Sequence, residues 1–391
     1  MRKCLLAVQG PLQFIAGLIA MEWYSHVKHD VSESEVTLLI YELASTEVEE
    51  SLAETIRRLS AIRRWKRVIV IGEMEMSRIM RRRYSQSIIE LRSVIAESSF
   101  DEVFISRDYC GAGSPLIVNV YPDATRILFG DAFGIIGDES DLLIPWSWSM
   151  RAVRINLRAF VRKVLFGGPK RFYFDAAVLT LPIDYSGSYL QNIPLLVPNS
   201  DFALAILKEC SDQLSELNSY SNRLLEGSRN PHLFLLSTLS SCGFMSAENE
   251  IDFYVKIIRE ITPEGATVLL KAHPRCEAHI LASILKEVGS EYFIKVIDDP
   301  QFSRFPIELW NKLIMKCRIV AIFSTSCVNL NYFYGKEVIL PLNESIISQY
   351  VYPESISFVT KGNAINLESL NRLKEWDGNS FLYRAPEGRS H

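Results

Sequence analysis

The sequence is short of the features that mark several common protein classes. Its seven cysteines (Cys4, Cys110, Cys210, Cys242, Cys276, Cys317 and Cys327) stand singly, and none forms a Cys-x-x-Cys pair. That argues against zinc ribbons and thioredoxin-type chemistry and suits reduced, buried thiols in a cytosolic compartment. No stretch reaches about 18 uninterrupted apolar residues, the length that a membrane-spanning helix requires. The opening MRKCLLAVQGPLQF has basic and then apolar residues, but Gln9, Gly10, Pro11 and Gln13 break the run, unlike the core of a signal peptide. Charge of one sign is lacking too: the net charge is −4, which gives no bulk reason to expect nucleic acid. There is no internal repeat and no low-complexity tract.

What is present is a chain of 391 residues, 48% of them hydrophobic and 23% charged, enough for two globular domains of roughly 150–200 residues each. Short apolar segments alternate with longer amphipathic ones. Leu5–Val8, Val36–Tyr41, Arg67–Ile71, Glu102–Ile105 and Thr125–Phe129 read as strands; Leu12–Tyr24, Glu47–Leu59 and Ile79–Ala96 read as helices. The polar stretch Asn218–Pro231 reads as a linker, after which the alternation restarts: strands at His232–Ser237, Thr267–Lys271, Tyr292–Ile297, Ile319–Phe323 and Glu337–Leu340, helices at Ala247–Ile261 and Glu277–Val288. Strand–helix alternation predicts parallel sheets covered by helices. The expectation is an α/β protein with two Rossmann-like, doubly wound domains facing a central cleft, at 1–217 and 232–365. The linker is 218–231, and the tail 366–391 is a candidate helix crossing back to the first domain. In such sheets ligands bind beyond the carboxyl ends of the strands.

Five strand tips carry chemistry. Leu269-Leu270-Lys271-Ala272-His273-Pro274-Arg275 runs an apolar strand into three cationic or potentially cationic side chains. Pro274 enforces a turn, and the residue before it is held extended. This suits an anion site in which His273 can also donate a proton; the plainer alternative is a surface histidine at a strand end. Ser324, Thr325 and Ser326 end another strand and precede a helical stretch, so hydroxyls and helix N-terminal N–H groups can cradle a phosphate, or simply cap the helix. Glu308, after Phe305-Pro306-Ile307, can take the two hydroxyls of a ribose, or serve as a first-turn acid favoured by the helix dipole. Asp131, after Gly130 at the tip of Ile127–Phe129, suits a general base or a turn aspartate. Gly10, Pro11 and Gln13 follow the first strand, where a polar side chain can orient an acceptor.

Basic residues cluster as Arg57, Arg58, Arg63, Arg64, Lys66 and Arg67, as Arg81–Arg83, and as Arg151, Arg154, Arg158 and Arg162, the last set on one helical face. They suit an anionic membrane surface or an acidic polysaccharide, or a solvated helix face.

The set of Lys-x-His-Pro, a Ser-rich strand tip, Pro-Ile-Glu between them, an upstream acidic tip and an opening Gly-Pro-Leu-Gln resembles the bacterial sialyltransferases and capsular polysialyltransferases. Leu179-Thr180-Leu181-Pro182-Ile183-Asp184 is similar to a segment of the latter. The resemblance extends from the first strand to about residue 345. It implies an inverting, metal-independent GT-B enzyme without a cofactor, working in the cytoplasm or on the inner membrane face. Such an enzyme transfers sialic acid or a related nonulosonic acid from a CMP-sugar donor to a glycan or polysaccharide acceptor, and has no nucleic-acid partner. It implies His273 and Asp131 as catalytic. Lys271, Pro274, Arg275, Glu308, Ser324, Thr325 and Ser326 become donor-binding, and Gly10, Pro11 and Gln13 acceptor-binding. The sequence departs from the family's acidic-acidic-glycine motif, because Gly130-Asp131-Ala132 holds one acid and no following glycine. Alternatives on the same fold are a CMP-Kdo or CDP-glycerol transferase. A different class is a non-catalytic nucleotide- or glycan-binding module.

Overall fold

The computed structural model describes residues 1–28, 33–43, 47–106, 113–130, 174–182, 193–273, 276–322 and 324–375. The chain divides into two compact units, one made by Met1–Phe202 with Gly378–His391 and the other by Ala203–Asp377.

The first unit is built on seven parallel strands in the order β3-β2-β1-β4-β5-β6-β7. They are β1 (Arg2–Val8), β2 (Ser34–Leu43), β3 (Arg67–Gly72), β4 (Glu102–Ile105), β5 (Thr125–Gly130), β6 (Ala176–Leu179) and β7 (Leu195–Leu196). Its helices are α1 (Pro11–Lys28), α2 (Glu47–Ser60), α3 (Glu73–Met80), α4 (Tyr84–Ile95) and α5 (Gly113–Val120). The inner strands read as continuous apolar runs because helices cover them on both faces; Cys4–Val8 and Val103–Ile105 are all fully buried. Helix α1 begins with Pro11, whose missing N–H costs nothing at a first helical position, and ends with His26 and Lys28, favoured by the helix dipole. Its Gly17 lies against the sheet so closely that a Cβ would stand 2.7 Å from Leu6 Cδ1 and 2.8 Å from Phe129 Cζ. The expected single helix Ile79–Ala96 is two, α3 and α4, broken at Arg81–Arg83.

The second unit carries five parallel strands in the order β10-β9-β8-β11-β12. They are β8 (His232–Leu235), β9 (Thr267–Lys271), β10 (Phe293–Val296), β11 (Arg318–Ala321) and β12 (Val338–Ile339). Helix α6 (Ser200–Gln213) leads into it. The helices α7 (Ser215–Leu225), α8 (Ala247–Ile261), α9 (Ala278–Val288), α10 (Asn311–Lys316), α11 (Ser326–Tyr334), α12 (Glu344–Tyr350) and α13 (Ile356–Glu375) follow. Phe234, Phe253, Tyr254, Ile258, Leu270 and Val320 lie in one continuous core. Helix starts are capped as their sequences dictate: Ser246 Oγ accepts Asn249 N–H at 3.1 Å, and Asn343 Oδ1 accepts Ile346 N–H at 2.9 Å. Helix α11 stops at Gly335, whose φ of 59° is the left-handed conformation glycine supplies without strain. The stretch 218–231, read as a linker, contains most of α7, and α7 buries Leu217, Ser221 and Leu224 within the second unit. Helix α13 occupies most of the expected crossing segment up to Glu375 and packs on α11 and α12 in the second unit; residues 376–391 lie outside the described residues.

Candidate nucleotide site in the second unit

The topology marks the site before any side chain does. From β8 the sheet grows one way to β9 and β10, then the chain returns past β8 to β11 and β12. All strands are parallel, so the tips of β8, β9 and β11 share one edge, and the crossover between β8 and β11 is the switch point where α/β sheets bind ligands. The three tips are tied together. Leu236 N–H donates to Lys271 O at 3.0 Å, and the Ser237 hydroxyl donates to Ile322 O.

Lys271 ends β9 pointing inward. It is buried, its Nζ donates to Ser303 O at 2.5 Å, and it lies 5.9 Å from the centre of the Trp310 ring. Burial pushes its ammonium down to about 8, with the charge of Glu308 acting in the opposite sense. Glu308 sits in a 3-10 turn, Ile307–Leu309, that follows Pro306, and is 1% exposed. Its Oε1 accepts Asn329 Nδ2 at 2.8 Å, and Ser326 also hydrogen-bonds the carboxylate. Its backbone oxygen accepts the Tyr334 hydroxyl at 2.5 Å. Burial raises the Glu308 carboxyl above its usual range, and the Asn329, backbone and Ser326 hydrogen bonds and the Lys271 charge oppose that rise. Three residues singled out in the sequence, Lys271, Glu308 and Ser326, are therefore brought together.

The other expected residues fall as follows. His273, two residues beyond β9, is exposed, and its carbonyl accepts Cys276 N–H at 2.8 Å. Pro274, Arg275 and Asp131 lie outside the described residues. Ser324, Thr325 and Ser326 are half-buried. The expected ring of open N–H groups at the start of α11 is largely closed. Ser326 N–H donates to Ser324 Oγ at 3.3 Å, Cys327 N–H to Ser324 O at 3.3 Å, and Val328 N–H to Thr325 O at 3.0 Å. A phosphate at this tip would meet side-chain hydroxyls rather than those amides. In the first unit, Gly10 O accepts Phe14 N–H at 2.9 Å, Pro11 is buried at the head of α1, and Gln13 Oε1 accepts Gln9 N–H at 2.9 Å. Of the segment Leu179–Asp184, Thr180 donates its hydroxyl to Gly130 O at 3.2 Å, while Ile183 and Asp184 lie outside the described residues.

Sequence reasoning missed three supports. Asn329 was hidden as one polar residue within a helical stretch; its spacing of three from Ser326 was the available signal. The aromatic group Tyr220, Phe302, Phe305 and Trp310, with Tyr220 stacked on Phe302 at 5.2 Å, braces the segment that carries Ser303 and Glu308 against α7. The loop after β8 is held by two buried groups of α8. The Glu250 carboxylate accepts the N–H groups of Leu239 (3.1 Å) and Ser240 (2.9 Å) and the Ser240 hydroxyl, and Tyr254 OH accepts Ser237 N–H at 2.6 Å.

The basic runs of the first unit are drawn into ion pairs. Arg63 Nε meets Glu22 at 2.8 Å, Lys66 Nζ meets Glu35 at 2.8 Å and Glu97 at 3.2 Å, and Arg82 Nε meets Glu90 at 2.8 Å. Arg67 donates to Ile95 O at 2.8 Å. The sequence reading of these two runs as cationic surface is corrected to that extent: acids distant in sequence neutralise much of it. The arginines at 151–162 lie outside the described residues. Among the described residues no helix is long and apolar enough to cross a membrane, and no cluster of His, Cys, Asp and Glu fits a metal ion.

Comparison with known proteins agrees on family and fold. Residues 198–342 match the family model of alpha-2,8-polysialyltransferase (POLYST); no curated protein matches the chain. Among solved structures, S. aureus MnaA in complex with UDP aligns over 96% of this chain and 87% of its own, at 14% identity and a TM-score of 0.50. Neisseria meningitidis UDP-GlcNAc 2-epimerase bound to UDP-GlcNAc aligns over 94% of each chain, at 10% identity and a TM-score of 0.48. E. coli ADP-heptose LPS heptosyltransferase II aligns over 87% of this chain and 84% of its own, at 9% identity and 0.40. At such identities the likeness concerns the fold alone. The matched segment contains Lys271, Glu308, Ser326 and Asn329, and through it the chain is polysialyltransferase-like, on a GT-B-like α/β fold.

Proposed function

We propose that the protein is an inverting glycosyltransferase that moves sialic acid, or a related nonulosonic acid, from a CMP-activated donor to a hydroxyl of a glycan acceptor. The observation that carries this reading is the convergence of Lys271, Glu308 and Ser326 at the switch point of the second sheet, inside the segment that matches the polysialyltransferase family. In this reading the nucleotide lies on the tips of β9 and β11. His273 and the hydroxyls of Ser324 and Ser326 stabilise the charge that grows on the departing phosphate, with the Lys271 cation behind them. Asp131 takes the proton from the acceptor hydroxyl as its oxygen attacks the anomeric carbon. The donors are supplied by the protein, so the chemistry needs no metal and no cofactor. An anionic inner membrane face remains the proposed place of work, through the arginines at 151–162.

CMP release from CMP-sialic acid across a panel of glycan acceptors, with and without chelator, tests the proposal. Asp131→Ala is expected to lower turnover roughly 10²–10⁴-fold while CMP still binds; His273→Ala is expected to weaken turnover and CMP binding together. Full activity in Asp131→Ala, or consumption of CDP-glycerol or a UDP-sugar in place of the CMP donor, would overturn it. The single acid in Gly130-Asp131-Ala132 favours one rival, a non-catalytic nucleotide- or glycan-binding module. That rival predicts CMP binding without release under every acceptor.

A further inference from the structure

Two hydroxyls at the start of α11 differ in where their single proton can go. A serine hydroxyl offers one O–H and two lone pairs. Ser324 Oγ accepts the Ser326 N–H, an arrangement that leaves its own proton to be donated elsewhere. Ser326 hydrogen-bonds the buried Glu308 carboxylate, and Asn329, one turn on along the same helix face, donates its amide to Glu308 Oε1 at 2.8 Å. Asn329 is 3% exposed and its Oδ1 has no hydrogen-bond partner, so Glu308 alone orients that amide. An ionised carboxylate only accepts. While Glu308 is ionised, the Ser326 proton is committed to it and cannot also reach an anion. Once Glu308 is protonated, its own O–H can be directed to Ser326 Oγ, and the serine proton is released.

We infer that Glu308 is a positioning residue that sets the donor capacity of Ser326: ionised, it withholds the hydroxyl from a bound phosphate; protonated, it frees it. This rests on the proposed nucleotide reading of the Ser324–Ser326 tip. It also gives the carboxylate a role other than holding ribose, consistent with a group almost wholly removed from solvent. The titratable groups that face Glu308 are Lys271 from β9 and Tyr334 from α11. Burial raises the Tyr334 phenol, so it stays neutral through the working range; the Lys271 cation favours the ionised carboxylate, and burial favours the protonated one. The groups on the neighbouring 3-10 turn and on α10 that close the pocket, Leu309, Trp310 and Leu313, are apolar or carry an indole N–H already bound to Phe305 O.

Calorimetric titration of CMP between pH 4.5 and 9, with full-length wild type, Ser326→Ala, Glu308→Gln and the double variant, tests the inference. CMP and His273 titrate in all four proteins, so the quantity read is the ratio of Kd values with and without the Ser326 hydroxyl. In the wild-type background the loss of that hydroxyl is expected to weaken binding about tenfold at the acid end, the scale of one charge-assisted hydrogen bond, and to have no effect at pH 9. In the Glu308→Gln background the ratio is expected to be the same at every pH. A ratio that does not change with pH in the wild-type background, with CMP bound, overturns the inference alone. Absence of CMP binding at every pH overturns the nucleotide reading and the inference with it.

Discussion

The two units handle charge in opposite ways. In the first, Arg63, Lys66 and Arg82 reach across the surface to Glu22, Glu35, Glu97 and Glu90. These pairs sit in water, and Lys3 and Lys66 hold the Glu97 carboxyl below its usual range through hydrogen bonds. In the second, Lys271 and Glu308 are both removed from water, and each is satisfied mainly by neutral partners: a backbone carbonyl for the lysine, an asparagine amide and a serine hydroxyl for the glutamate. Exposed pairs add little stability because water screens them and long side chains lose entropy. Buried charges are costly, and removing the group that satisfies them is worse. The difference teaches where to look for function: the charge-rich runs of the sequence are the ordinary surface, and the two solitary charges are the site.

The comparison breaks first at Glu308. Glu308→Ala orphans the Asn329 amide and leaves the Lys271 cation without its counter-charge, so urea unfolding is expected to show a loss of about 3–5 kcal/mol. Equal stability of this variant and wild type would show that the buried group is not an organising one. A smaller effect follows from Lys271. Its folded value, about 8, lies below the ordinary lysine value of 10.5, so the native state holds fewer protons than the unfolded chain between the two. Stability must therefore rise as pH climbs from about 8 towards 10.5, and Lys271→Met, compared by thermal melts, is expected to lack that rise. The smallest effect belongs to the surface: Arg63→Ala, which breaks the pair with Glu22, is expected to cost at most about 1 kcal/mol and to fade in high salt. A loss as large as that of Glu308→Ala would erase the contrast.

How legible this was in the sequence depended on how local the cause is. The strand Thr267–Lys271 and the helix Ala247–Ile261 were legible to the residue, because a wholly apolar run before His-Pro and a Ser cap before an amphipathic stretch are local signals. The doubly wound class followed from the alternation. The polar stretch 218–231 misled because α7 buries only a narrow face, so its composition resembles a linker. The helix 79–96 misled because its apolar spacing continues through Arg81–Arg83, where the chain breaks. Within the site, Lys271, Glu308 and Ser326 were marked as site residues from strand-tip chemistry. That Lys271 points inward and that Glu308 is buried depend on Ser303, Trp310 and Asn329, contacts across 20 to 40 residues that no spacing rule contains. The neutralisation of the basic runs is equally non-local: Glu22 lies 41 residues from Arg63.

Hydrogen–deuterium exchange of the full chain with and without saturating CMP tests the placement of the nucleotide most directly. Slowed exchange is expected in peptides covering 267–273, 303–310 and 322–330, the tips of β9 and β11 and the turn between them, with the strongest change around Ser324–Ser326. Tight CMP binding that leaves those three segments unchanged and protects another surface would contradict it.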